Sequence, residues 1–311
     1  MICIKKGEWF QILVPNDWDL LTVDIVLKEK WKAPKKLLHQ FRMEKRVQVN
    51  GIPVTRWDQQ LKTGDKLQIR LFVDEEYGVE PQFIPIEFCY EDEHVLIANK
   101  PAGLDTHPNE GENDTLANAI AYHLQTEGIS TKVRHIHRLD RDTSGGVVFA
   151  KHALAGTVLD QMLEKRLISR TYIAFVHGKL KQKKGTITAK IGRDRHHPTR
   201  RRVSDTGDQA VTHYEVIKYY PRANVTQVKL KLDTGRTHQI RVHLSHLGHP
   251  IVGDILYGGK QEGIKRQALH AEHIHFIHPF TNEKIEISIP WSEDINRLEK
   301  KLSEYNIKKK K

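Results

Sequence analysis

Apolar and polar positions change rhythm several times along this 311-residue chain. Phe10-Gln11-Ile12-Leu13-Val14 reads as a strand, and Leu20, Val23, Val26 and Leu27 recur at helical spacing up to Trp31. Pro34 suits the start of a second helix running through Leu37-Leu38 to Phe41, because the first helical turn has no use for the missing N–H. Val47-Gln48-Val49-Asn50-Gly51 predicts a strand and a tight hairpin turn, and 67–71 a closing strand. Residues 74–83 are acidic, turn-rich and without a periodic apolar face, which predicts a linker.

Beyond that stretch the pattern predicts a larger unit. Val95 to Lys100 reads as a strand stopped by Pro101-Ala102-Gly103, and Thr115 is a suitable N-cap for a helix to Leu124. Val147 to Ala150 reads as a buried strand, Leu154 to Lys165 as an amphipathic helix and Ser169 to Gly178 as a strand. Residues 181–210 look loop-rich, and strands are expected at 212–220 and 225–232. Ile240 and Leu244 fit a helix that Gly248-His249-Pro250 ends. Strands at 273–277 and 285–289 precede a polar helix from Ser292 and a disordered basic tail, Lys308–Lys311. Strands and helices mix without strict βαβ alternation, so the expected class is α+β, a largely antiparallel mixed sheet with flanking helices plus a small α/β module. The division is 1–73, the linker 74–83, a domain at 84–295, and a helix end with tail at 296–311.

Charge bears on partners. The net charge is +11, which fits a polyanionic partner and a merely soluble basic protein equally well, and the eight Lys and Arg between Lys28 and Arg46 face only Glu29 and Glu44 there. Cys3 and Cys89 form no spaced set, no run is apolar enough to cross a bilayer, and the N-terminus has no apolar signal core. A cytoplasmic monomer with no membrane contact is expected. Phosphate-binding glycine loops are missing, as is the G-x-S-x-G elbow around Ser144. His270, His273, His275 and His278 lack the carboxylate or thiol spacing that completes a metal site, so no metal is expected.

The densest chemistry lies at His137-Arg138-Leu139-Asp140-Arg141-Asp142-Thr143-Ser144-Gly145. An Arg-Leu-Asp triplet alone fits a structural ion pair that caps a turn better than it fits a reactive carboxylate. A glycosidase reading would want a second carboxylate, and Asp142 is the nearby candidate. The full string H-R-L-D-x-x-T-S-G is more specific: it resembles the catalytic motif of the RluA-type pseudouridine synthases. The resemblance continues through Val95 to Leu104, Arg170-Thr171-Tyr172-Ile173-Ala174, Leu232 to His243, and Ala268-Leu269-His270-Ala271 with His278-Pro279. It departs at Asp208, where a lysine is usual. Residues 1–73 resemble the alpha-L RNA-binding domain of a small-subunit ribosomal protein, with Ala33-Pro34 where many such domains have Ser-Arg.

These resemblances imply an isomerase that converts uridine in RNA to pseudouridine, with ribosomal RNA favoured over tRNA and no cofactor. They imply Asp140 as nucleophile or base, Arg241 as its orienting partner and Tyr172 against the uracil. Ile240 would be an apolar wall, and Arg138 would fill the space of the flipped uridine. Lys35, Lys36, Arg42, Lys45, Arg46, Arg200, Arg201 and Arg202 are the expected RNA contacts. The alternative from another class is a non-catalytic RNA-binding or ribosome-assembly factor of the same fold.

Overall fold

A computed structural model describes residues 3–109 and 113–307, so the expectation for the basic tail lies outside the described residues. The chain begins with β1 (Cys3–Lys6) and β2 (Trp9–Leu13). Next come α1 (Val23–Ile25), a π-helical turn (Val26–Lys30) and α2 (Lys35–Met43). The first helix starts three residues later than its periodicity suggests. Leu20 takes a left-handed φ of 61°, and the Thr22 hydroxyl accepts from the Ile25 N–H to set the start at Val23. Strands β3 (Val47–Val49), β4 (Ile52–Pro53) and β5 (Lys66–Arg70) complete an antiparallel sheet in the order β1-β2-β5-β3-β4. Its β3–β4 turn has φ of 53° at Asn50 and 82° at Gly51, the pair of positive values that Asn-Gly tolerates.

The second unit runs β6 (Glu87–Glu91), β7 (Val95–Lys100), α3 (Leu116–Thr126), β8 (Arg134–His135), β9 (Ser144–Ala150), α4 (Ala153–Glu164) and β10 (Ser169–His177). It continues with β11 (Lys184–Thr188), β12 (Ile191–Arg193), β13 (Arg201–Val203), β14 (Val211–Tyr220) and β15 (Val225–Leu232). It ends with α5 (Gln239–His246), β16 (Leu269–Ile277), β17 (Lys284–Ser288) and α6 (Glu293–Ile307). The main sheet is ordered β11-β14-β15-β10-β16-β9-β7-β6, with β17 branching from β16 and β8 from β9. Among these pairings only β9–β16 is parallel, which makes the sheet mixed but largely antiparallel. This is the α+β class that the pattern predicts.

Three features differ from the expectations. Residues 181–210 are loop-rich as expected but also hold strands that the pattern does not announce: β11 joins the main sheet, and β12 and β13 form an antiparallel ribbon carrying Arg193, Arg201 and Arg202. Strands this short carry no readable alternation. The boundary placed at residue 295 falls inside α6, which is amphipathic, because Ile295, Leu298 and Leu302 lie on one stripe buried against the main sheet. The acidic stretch is a strap: Glu75 N–H donates to Ser130 O, Val133 N–H to Tyr77 O, and the Asn118 amide to Glu80 O.

The core of the small sheet runs on into that of the larger unit. Phe280, which is fully buried, lies 5.7 Å from the Phe10 ring, 5.6 Å from Trp31 and 4.5 Å from His94. Phe10, Ile12, Val26, Leu27 and Trp31 belong to the same apolar cluster as Val95, Val148, Ile274 and Phe276. Burial of this seam, at roughly 25 cal/mol per Å² of apolar area, fastens the N-terminal module to the larger unit.

Candidate active site

Asp140 sits in the loop that enters β9. A buried loop backbone needs partners for its polar groups, and here they come from four sides. The Thr106 hydroxyl exchanges hydrogen bonds with Leu139 N–H and C=O, both at 3.1 Å. Lys100, fully buried at the end of β7, donates to Pro101 O, Leu104 O and Arg141 O. Burial pulls its pKa down to about 7, while those carbonyls use all three of its donors. Arg266 donates to Asp142 O, and Gln267 to the Thr143 hydroxyl. Directly after the loop, the parallel β9–β16 pairing requires glycine at 145. Its φ is +117°, and a Cβ there would stand 2.3 Å from Ala271 O.

Arg241 lies on α5, which the 232–239 turn aims at the loop. The Gln239 side-chain oxygen accepts from the Thr234 hydroxyl and the Arg236 N–H, which fixes that turn. Arg241 is 7% exposed. Its Nε and Nη2 reach the two oxygens of Asp254 at 2.7 and 2.9 Å, and its Nη1 reaches Asp140 Oδ2 at 3.2 Å. Burial opposes its charge, but the Asp254 carboxylate, helped by Asp140, outweighs burial and raises the pKa. The Tyr257 ring supports the guanidinium at 4.9 Å. The expected Asp140–Arg241 contact is therefore present, and Arg241 spends its bidentate fork on Asp254.

A cleft of about 580 Å³ opens over this pair, lined by Arg138, Asp140, Tyr172, Ile240 and Arg241, the five residues singled out for base handling. Tyr172 and Ile240 are buried, Asp140 is partly exposed and Arg138 is exposed. Burial raises the Tyr172 pKa; Arg170 pulls it down and Asp140 pushes it up, and the phenol stays protonated at neutral pH. Asp142 is exposed and does not line the cleft, so no carboxylate pair forms with Asp140.

The expected RNA contacts divide. Lys35, Lys36 and Lys45 are exposed on or just after α2. Arg42 is exposed but paired with Asp24 at 2.8 Å and stacked over Trp57. Arg46 is largely covered and pairs with Glu44, so it offers little surface. Arg200 and Arg202 are exposed on the β12–β13 ribbon, whereas Arg201 is half-buried and donates its backbone N–H to the Tyr257 hydroxyl at 2.9 Å. The late histidines are separate. His270 bonds Ser144, His273 faces Glu286, and His278 faces Asp92.

Sequence reasoning missed Asp254, Tyr257 and His238. Asp254 and Tyr257 sit in Gly253-Asp254-Ile255-Leu256-Tyr257, a string whose spacing to Arg241 carries no periodic signal. His238 was readable as a mere turn residue. Its Nε2 is 3.9 Å from Asp140 Oδ2 and its Nδ1 is 2.8 Å from the Tyr257 hydroxyl.

Comparison with known proteins fits this geometry. A family profile described as RNA pseudouridylate synthase matches residues 94–246, and one described as the RluD ribosomal pseudouridine synthase N-terminal domain matches 10–67. YhcT of Bacillus subtilis strain 168, named as an uncharacterized RNA pseudouridine synthase, is 48% identical over 295 residues, covering 94% of this chain and 97% of the relative. Ribosomal large subunit pseudouridine synthase D of Escherichia coli K12 is 36% identical over 279 residues, 84% of each chain. The solved structure of human RNA pseudouridylate synthase domain containing 1 superposes with a TM-score of 0.55 at 25% identity, covering 72% of this chain and 98% of that one. Motifs, fold and relatives agree: the chain belongs to the RNA pseudouridine synthase family, isomerases that act on uridine in RNA.

Proposed function

We propose that this enzyme isomerises specific uridines of large-subunit ribosomal RNA, with Asp140 as the catalytic carboxylate. The observation that carries the reading is the convergence of the Asp140 carboxylate, the buried Arg241 guanidinium and the buried Tyr172 phenol on one cleft. The likeness to the E. coli ribosomal large subunit pseudouridine synthase supports ribosomal RNA as the substrate class.

The reaction breaks the N1–C1′ bond, turns the base and joins C1′ to C5; C5 loses its hydrogen and N1 gains one. Nothing is added or removed overall, so the chemistry needs no group donor and no redox step. Attack on the base, attack on the sugar and removal of a sugar proton all require an ionised Asp140. Arg241 Nη1, 3.2 Å from Oδ2, gives that carboxylate a charged partner that orients it. Tyr172 meets the uracil, and Ile240 closes the cleft with an apolar wall. The glycosidic bond is out of reach in a stacked helix, so the uridine must flip, at a cost of a few kcal/mol. Arg138, exposed on the cleft lining, takes the vacated place.

The test is a pseudouridine map of ribosomal RNA from cells with the gene, without it, and with Asp140→Ala in its place. Loss of the same site in the deletion and the variant is expected; a map that the variant restores would remove Asp140 from the chemistry. For binding, Lys35, Lys36, Arg42 and Lys45 form one proposed phosphate-contacting face, and Arg200 and Arg202 another. Arg200→Ala and Arg202→Ala should each lower the slope of log affinity against log salt by roughly 0.7–0.9. Titrations at several salt concentrations measure it, and an unchanged slope would show that these side chains miss the phosphates.

A further inference from the structure

The two oxygens of Asp140 are not equivalent. Arg241 Nη1 approaches Oδ2 at 3.2 Å, and His238 Nε2 faces the same oxygen at 3.9 Å. The other imidazole nitrogen, Nδ1, is 2.8 Å from the Tyr257 hydroxyl. That hydroxyl accepts the Arg201 backbone N–H, and Nδ1 is the acceptor within its reach among the described residues, so the phenol proton is assigned to Nδ1. An accepting Nδ1 leaves the ring hydrogen on Nε2, pointing at Asp140. Burial lowers the His238 pKa, with Asp140 and Arg241 acting in opposite senses, and the ring is uncharged at neutral pH.

The backbone adds an independent observation. His238 has φ 57° and ψ 20°, the left-handed region that asparagine and glycine occupy more readily than histidine. Strain of this kind persists where the surroundings over-determine it and the side chain has a task. Gln239 ties down the turn on one side, and Tyr257 holds the ring on the other.

We propose that His238 is a positioning residue for the isomerisation: Tyr257 fixes its tautomer, it closes on Oδ2 of Asp140 when RNA engages the β12–β13 ribbon, and Oδ1 is left as the reacting oxygen. The chain Arg201–Tyr257–His238–Asp140 links the ribbon that bears the RNA-facing arginines to the carboxylate. The inference rests on Asp140 being catalytic.

Substitutions at one position separate the contacts. His238→Asn relieves the backbone and keeps an acceptor near Tyr257 but loses the donor to Asp140. His238→Gln keeps an amide donor at the reach of Nε2. With purified full-length enzyme and a ribosomal RNA fragment containing the mapped uridine, His238→Asn should lower the single-turnover rate about 10- to 100-fold, with RNA affinity within about 3-fold. His238→Gln should recover most of that rate, and Tyr257→Phe should be slowed with unchanged affinity. A His238→Asn enzyme at the wild-type rate, or His238→Gln as slow as His238→Asn, would overturn the proposal. Asp140→Ala run in parallel keeps the two readings apart: if it retains turnover, it is the role of Asp140 that fails.

Discussion

Asp140→Asn should yield a folded enzyme that binds RNA and does not isomerise it, with turnover down about 10⁴-fold or more. The substitution keeps the shape of the side chain and removes the charge. Asp140 is partly exposed, and Arg241 keeps its bidentate partner Asp254, so no buried charge is left alone. Unfolding free energy should therefore change by less than about 1 kcal/mol. Quantifying pseudouridine after a single-turnover reaction, beside a denaturant melt, checks both halves. Turnover within about tenfold of wild type would show that the carboxylate is not what the reaction uses.

Arg241→Met should damage both activity and stability. Asp254 is 2% exposed, and two of the three guanidinium contacts go to it. Without Arg241 it is a buried carboxylate with no counter-charge, a loss of about 3–5 kcal/mol. The pH dependence follows from the sign of the shift. An unpaired buried carboxylate has its folded-state pKa raised above the unfolded value, so the deficit is absent where both states are protonated and grows as pH rises. The double variant Arg241→Met/Asp254→Asn should regain much of the stability and none of the activity. Equilibrium unfolding of the three proteins between about pH 4 and 8 measures this. A single variant as stable as wild type at neutral pH would show that Asp254 does not depend on Arg241.

The residues that periodicity can register were legible in the sequence. β7, β10, β14 and β15, and helices α2, α3 and α4, follow from apolar spacing and from caps at Thr115 and Pro34. The loop that carries Asp140 was legible for another reason: its polar groups are packed into nine consecutive residues, so a motif could stand for a geometry. Arg241 was found the same way. Asp254 was not, because its meaning depends wholly on a guanidinium 13 residues earlier on another element. His238 was passed over because the sequence shows neither its left-handed backbone nor the direction of its ring. The β12–β13 ribbon has only three residues per strand, too few for alternation to declare itself.

The seam at Phe280 bears on how the enzyme holds RNA. Phe10 of the small sheet and Trp31 of the helical turn beside it pack on a side chain near the far end of the chain, and the strap at 74–80 pins the connection between the two units. Cutting at residue 73 would bare this surface, so charge changes on α2 are the cleaner probe of that face. The basic face of α2 and the cleft are thus borne by one body and not tethered by a flexible chain. Once one face meets its phosphates, the other stands at a fixed place, and no linker search entropy is lost in the second contact. Avidity is then high for RNA whose shape presents both features at the matching separation, and is lost for RNA that presents the same uridine at another distance.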